Sequence, residues 1–274
     1  MPELPEVETV VRGLRGPLIG RRITNMWHDW ARTIHSPGAA EFAARIAGQS
    51  ITAVDRRGKY ILIKLEHDAL VVHLKMSGRL YVADAESTNE ADRWVHVRFD
   101  LDNGQQLRFS DMRKFGRVYL TNDLANLLGH LGPEPLSVDF TLAGFRAGMH
   151  GRKRAIKAQL LDQEFVAGVG NIYADEALFR AGIHPAAAAG TLSDEESARL
   201  RGTIRDALQS GIEHEGASIN WYRKPDGQKG ESQNHFTVYG RTGLPCLQCG
   251  TAISKIRVAQ RGTHFCPLCQ PART

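Results

Sequence analysis

The sequence predicts an α+β chain: a β-rich N-terminal part led by a helix, a helical middle and a small cysteine-paired ribbon at the C-terminus. Three observations support this. Seven runs rich in β-branched and aromatic residues, with turn residues between them, fall within residues 51–121. Beyond "LGPEPLS" at 131–137, apolar residues recur at helical rather than alternating spacing. All four cysteines lie after Pro245, as two Cys-x-x-Cys pairs.

The first element is a helix from about Pro5 to Leu18. Val7, Val10, Val11, Leu14 and Leu18 share one face, and Pro5 suits a first turn, where no intrahelical N–H is needed. The strands follow as "ITAVDRR", "KYILIKL", "ALVVHLKM", "RLYVA", "WVHVRFDL", "QQLRFSD" and "RVYLT". Turn chemistry at "EHD" 66–68 and "DNG" 102–104 predicts that consecutive strands pair as antiparallel hairpins. Seven strands at this spacing make a β-sandwich or a barrel. In the helical part, Ser193-Asp-Glu-Glu196 reads as a capping box opening a helix with Leu200, Ile204, Leu208 and Ile212 on one face. Shorter helices are predicted over 123–129, 139–148, 153–162 and 171–181. Around the start of the last lies "FVAGVGNIYADEALF", where Asn171 would cap a helix beginning at Ile172. Its glycines allow an anion-binding nest at that helix start, and close helix packing would use the same glycines.

Cysteine spacing carries the ribbon. Cys246-Leu-Gln-Cys249 and Cys266-Pro-Leu-Cys269 are separated by 16 residues, a pattern for one tetrahedral zinc ion held by two knuckles. Four thiolates leave no open position, so the metal is structural, and a segment this short needs it to fold. Charge points the same segment at a polyanion. Residues 215–274 hold 8 Lys+Arg against 3 Asp+Glu, an excess equal to the net +5 of all 274 residues. No run is long and apolar enough for a membrane span, and the first residues lack a signal peptide's apolar stretch. No membrane partner and a cytoplasmic location are therefore expected.

The opening "MPELPEVET" places three carboxylates around two prolines. Removal of Met1 would leave Pro2 as a free secondary amine. An α-amino group titrates near pH 8 against about 10.4 for lysine, so far more of it is nucleophilic at neutral pH. Attack on a sugar C1′ would give an iminium with no N–H to lose, an electron sink that favours elimination. Glu3 and Glu6 stand ready to move protons. The bland alternative is a helix lead-in whose glutamates complement the helix dipole.

"MPELPEVET", "RRGKY", "HLKMSGRL", "DMRKFG", "LGPEPL", "IKAQLLDQ", "AGVGNIYADEALFRAGIHP" and "AQRGTHFCPLCQ", in this order across the whole chain, resemble bacterial formamidopyrimidine-DNA glycosylase. The resemblance implies a monomeric repair enzyme on damaged double-stranded DNA that removes oxidised purines and cleaves the abasic site. The implied fold is a β-sandwich over 1–130, a linker over 131–137, a helix-two-turn-helix domain with a base-recognition loop over 138–236, and a zinc finger over 237–274. It also implies roles: Pro2 as Schiff-base nucleophile, Glu3 as proton donor, Lys59 and Arg261 as donors in β- and δ-elimination. Asn171 matches a phosphate ligand, Glu6 a second acid near the centre, and Met76, Arg113 and Phe115 the residues that fill the gap left by an extruded base. Two positions depart from the family pattern. Trp94 stands where a DNA-contacting histidine is usual, and Arg152 where a DNA-contacting lysine is expected. Rival readings are the endonuclease VIII branch for oxidised pyrimidines, a silent DNA-binding protein, and a zinc-ribbon RNA-binding or transcription factor.

Overall fold

The computed structural model of the chain describes residues 1–219 and 221–272. Asn220, within the expected recognition loop, and residues 273 and 274, within the expected finger span, lie outside them. Two compact units are present: Met1–His130 with Glu215–Glu231, and Leu131–His214 with the chain from Ser232 onward. Residues 215–231, expected within the helical span 138–236, thus belong to the first unit. The reason is local: Tyr222 is buried in that unit's apolar core, and Ala217 N–H donates to Glu6.

The first unit opens with α1 (Leu4–Leu18), whose expected apolar face is buried. The helix begins at Leu4 because Glu3 and Glu6 form a reciprocal capping box, with Glu3 N–H donating to Glu6 Oε2 at 2.7 Å. Nine strands follow: β1 (Ile23–His28), β2 (Ile34–Ser36), β3 (Ile51–Arg57), β4 (Tyr60–Leu65), β5 (Ala69–His73), β6 (Gly78–Asp84), β7 (Val95–Leu101), β8 (Gln105–Asp111) and β9 (Arg117–Thr121). They form two sheets, β1-β7-β8-β6 and β2-β9-β5-β4-β3, so the outcome is the sandwich rather than the barrel. Val97, Phe99, Leu107 and Phe109 of one sheet and Ile61, Ile63, Leu70 and Val72 of the other share a single core with α1. Each such side chain contributes roughly 1.5–3 kcal/mol on burial. Helix α1 packs on β3 and β6, an edge of each sheet, while α2 (Ala39–Ile46) packs on the opposite edges, β1 and β2. Both open sides are therefore closed, which protects the unpaired edges. The short α3 (Leu124–Leu128) ends the unit's first segment.

Hairpin pairing holds for β3–β4, β4–β5 and β7–β8. It fails three times: β5 pairs with β9 rather than β6, β6 with β8 rather than β7, and β8 and β9 lie in different sheets. Residues 74–77 and 112–116 therefore cross between sheets, each crossing turning on a lysine in the left-handed region, Lys75 (φ 51°) and Lys114 (φ 57°). Elements β1, β2 and α2 carry weak sequence signals. A bulge between Ile23 and Asn25 breaks the alternation of β1, β2 has three residues, and α2 buries only Phe42 and Ile46.

The second unit holds α4 (Leu142–Met149), α5 (Ile156–Leu160), α6 (Asn171–Arg180), α7 (Asp194–Glu213) and a hairpin of β10 (Ser254–Val258) and β11 (Arg261–Phe265). The expected Ser193/Glu196 capping box opens α7. Two turns join α5 to α6, spanned by Gln163, which accepts Gly168 N–H at 3.0 Å and donates to Val169 O at 2.9 Å. Helix α6 is buried from Ile172 to Phe179. Among the described residues no helix is long and apolar enough to cross a membrane.

Candidate active site and metal centre

The chain's first residues are fixed rather than frayed. Pro2 is buried, and Glu3 and Glu6 are 3% and 2% exposed at the head of α1. Glu6 joins two segments, because its Oε1 accepts Ala217 N–H at 2.7 Å while Oε2 holds Glu3 N–H. Only glycine fits beside it: Gly216 has φ 77°, and a Cβ there would lie 2.9 Å from Glu6 Cγ.

Lys59 occupies the two-residue turn between β3 and β4, with Gly58 at φ 56° supplying the backbone of a type II′ hairpin. Although on a turn, Lys59 is buried. Burial, with the charges of Lys75 and Lys59, pushes His73 down to about 3, so its ring is neutral and Nδ1 accepts Lys75 N–H at 3.0 Å.

Both sheet crossings meet at a residue the sequence does not single out. Asp111, 1% exposed, accepts Ser77 Oγ–H at 2.5 Å and Gly116 N–H at 2.6 Å. The Arg113 N–H donates to Ser77 Oγ at 3.2 Å. One buried carboxylate thus links the loop carrying Met76 to the loop carrying Arg113 and Phe115. The side chains it presents are outward: Met76 is 37% and Phe115 47% exposed, and the Arg113 guanidinium lies 4.7 Å over the Phe115 ring. Trp94 ends a short 3-10 turn, Glu90–Trp94, before β7, and meets Trp221 edge to face.

In the second unit Asn171 is not the cap expected of it. Gly170 is the N-cap and Asn171 the first helical residue, its Nδ2 donating to Gly262 O at 3.1 Å. That bond ties α6 to the residue after Arg261, which stands exposed beside the hairpin's Ala259-Gln260 turn. Ala259 (φ 48°) and Gln260 (φ 58°) are both left-handed, as a type I′ turn requires. Arg152 stands exposed in the turn before α5. A second cation near this turn, the fully buried Lys157, reaches the finger hairpin: it donates to Thr263 Oγ at 2.7 Å and Gly262 O at 3.2 Å and pairs with Asp175 at 2.7 Å. Asp175 also accepts His264 N–H at 2.9 Å. Glu176 accepts the backbone N–H groups of Thr237, Val238 and Tyr239, anchoring the chain that leads into the finger. The available sequence signal was Lys157 sitting between Ile156 and Leu160 on a short apolar helix.

All four cysteines are free thiols whose sulfurs lie within 4.8 Å of one another. Cys249 and Cys266 Sγ are 3.4 Å apart and Cys246 and Cys269 Sγ 3.9 Å. A tetrahedron of sulfurs around zinc at about 2.3 Å has edges of about 3.8 Å, so the set fits one zinc ion. Backbone N–H groups of Gln248 and Cys269 point at Cys246 and Cys266 Sγ, which steadies the thiolates.

Comparison with known proteins matches three family models along the chain. They are the formamidopyrimidine-DNA glycosylase N-terminal domain over residues 1–118, the formamidopyrimidine-DNA glycosylase H2TH domain over 131–223, and a zinc finger found in FPG and IleRS over 243–272. A formamidopyrimidine-DNA glycosylase of Chloroflexus aurantiacus is 49% identical over 98% of both chains. One of Bacillus subtilis is 44% identical over 98% of this chain and 99% of its own. Among solved structures, Lactococcus lactis Fpg bound to DNA containing an abasic site superposes with a TM-score of 0.92 at 37% identity, covering 98% of this chain and 100% of that one. MutM in complex with DNA containing carbocyclic 8-oxo-G gives 0.91 at 37%, covering 99% and 100%.

Proposed function

Because the chain belongs to the formamidopyrimidine-DNA glycosylase family, we propose that it excises oxidised purines, 8-oxoguanine and formamidopyrimidines, from duplex DNA and cuts the strand at the abasic site by β- and δ-elimination. The observation that carries this reading is the buried, acid-lined N-terminus at the head of α1, with Pro2 next to Glu3 and Glu6. With Met1 removed, the Pro2 nitrogen attacks C1′. The bond from C1′ to the base breaks, and the departing base takes a proton that Glu3 is placed to supply. Opening of the C1′–O4′ bond and loss of the Pro2 N–H proton give an iminium. The Glu3 carboxylate, having given its proton to the base, takes a proton from C2′ while the iminium accepts the electron pair. The C3′–O bond then breaks to release the 3′ phosphate, with Lys59 donating a proton in this β-elimination. Loss of the 4′ proton then expels the 5′ phosphate, with Arg261 as donor. Asn171 and Arg261 bind phosphate, and Met76, Arg113 and Phe115 occupy the gap left by the extruded nucleotide. Glu6 holds Glu3 and the 217 segment in register. The finger's zinc takes no part in these steps; when bound it fixes the hairpin that carries Arg261.

A nicking assay on matched duplexes tests this. Incision at 8-oxoguanine that leaves phosphate on both sides of the gap, and that disappears with Pro2→Gly, is expected. Faster incision at an oxidised pyrimidine would favour the endonuclease VIII branch. Tight binding without incision would make the protein a silent DNA binder.

A further inference from the structure

We propose that Trp30 is a positioning residue for base extrusion: its ring holds the Lys114 ammonium, and this contact fixes the loop that presents Arg113 and Phe115 to the DNA stack. The proposal rests on the glycosylase reading and deepens it. Lys114 stands between the two gap-filling residues, exposed and in the left-handed region at φ 57°. A non-glycine residue seldom holds that conformation without support. Its backbone has some, since Lys114 N–H donates to Asp111 O at 3.0 Å. The side chain has a different anchor. Among the described residues no carboxylate pairs with the Lys114 ammonium, which lies 4.5 Å from the centroid of the Trp30 ring, within cation–π range.

Trp30 is a firm partner because the chain is tied on both sides of it. One residue before, Asp29 N–H donates to His96 O at 3.3 Å, and the Asp29 carboxylate meets His96 Nδ1 at 2.7 Å. Beyond it, Trp30 O accepts Thr33 N–H at 3.0 Å, Thr33 is buried, and Ile34 pairs with Val118 of β9, the strand that the gap-filling loop enters. The half-buried indole thus stands on the sandwich, not on the loop it supports. Arg32 also lies over the ring, at 5.7 Å. Lys114 reaches this platform while the neighbouring Arg113 guanidinium lies 4.7 Å over Phe115. Prising a base out of the stack loads Arg113 and Phe115, and an exposed loop that must first be ordered inserts them less often. Anchoring Lys114 in advance removes part of that ordering cost.

The test uses the full-length zinc-loaded protein in excess over duplex, so that single-turnover incision reads the steps after binding. One duplex carries 8-oxoguanine in an intact stack beside 2-aminopurine, whose fluorescence rises on unstacking; the other carries an abasic site, where no base has to be extruded. Trp30→Ala should slow both the incision and the fluorescence rise on the first duplex by about two- to fivefold, which is what an exposed cation–π contact is worth. Incision of the abasic duplex should stay within about 1.3-fold, because an already missing base needs the least unstacking. Trp30→Phe, which keeps a ring, should restore most of the rate. Lys114→Met should match Trp30→Ala, and the double variant should be no slower than either single one, because both remove the same contact. Equal slowing on the two duplexes would make Trp30 part of the general scaffold and overturn the proposal, as would unchanged rates or losses that add in the double variant. Wild-type protein that leaves the 8-oxoguanine duplex intact would sink the glycosylase reading itself, and this inference with it.

Discussion

At the scale of single residues, the buried charges make the sharpest predictions. Asp111 accepts hydrogen bonds from both sheet-crossing loops, so Asp111→Ala leaves the Ser77 hydroxyl and the Gly116 N–H unpaired in a dry site. A loss of about 2–4 kcal/mol in urea unfolding is expected. Lesion binding should fall as well, because Met76 and Arg113 lose their common support. His73 predicts a pH effect. An unfolded histidine binds its proton near pH 6.5, whereas His73 in the fold does so only at about 3. Between these values the unfolded chain holds more protons, so this contribution to stability is fully present above about pH 6.5 and is lost as the pH falls toward 3. His73→Phe should flatten the pH dependence of unfolding free energy in that window by about one proton, measured by urea melts at several pH values. The four cysteines are legible in the sequence because both knuckles are local. Asp111 and Lys157 are not, since Ser77 lies 34 residues from Asp111 and Thr263 lies 106 from Lys157.

Among the elements, strands with strong alternation are legible nearly to the residue: "QQLRFSD" and "RVYLT" are β8 and β9 as written. What alternation does not reveal is which sheet a strand joins. That choice rests on left-handed lysines at Lys75 and Lys114, a conformation that glycine would have advertised and lysine does not. The helical unit has a comparable hidden joint, where α5 and α6 hold the finger hairpin through Lys157 and Asn171. Lys157→Met removes the cation and leaves Asp175 charged in a site with no exposure. A destabilisation of about 3–5 kcal/mol is expected, read from the thermal unfolding of the zinc-loaded protein. Restoring balance with Asp175→Leu in the same chain should recover much of it, because a well-packed apolar pair replaces a buried ion pair at little cost.

For the whole molecule, the two units differ in what holds them. The first has a shared apolar core of two sheets and α1, while the finger end of the second has four thiolates, a few buried polar bonds and only a small apolar cluster of Phe179, Val238 and Ile253 around Cys246 and Cys266. Chelation of zinc should therefore lower the thermal transition of the second unit and leave that of the first in place, a difference visible by calorimetry. Incision should fall with it, since Arg261 loses its fixed hairpin. The chain's opening stretch ties the scales together, because Glu3 and Glu6 cap a helix that also closes an edge of each sheet. The central claim is that this fixed terminus is the nucleophile. Borohydride trapping on a duplex with one 8-oxoguanine, read by intact mass and peptide mapping, tests it most directly. The account predicts a covalent adduct on a chain beginning at Pro2, absent in Pro2→Gly. No adduct from protein shown by mass to lack Met1, or an adduct mapped to another residue such as Lys59, would contradict it.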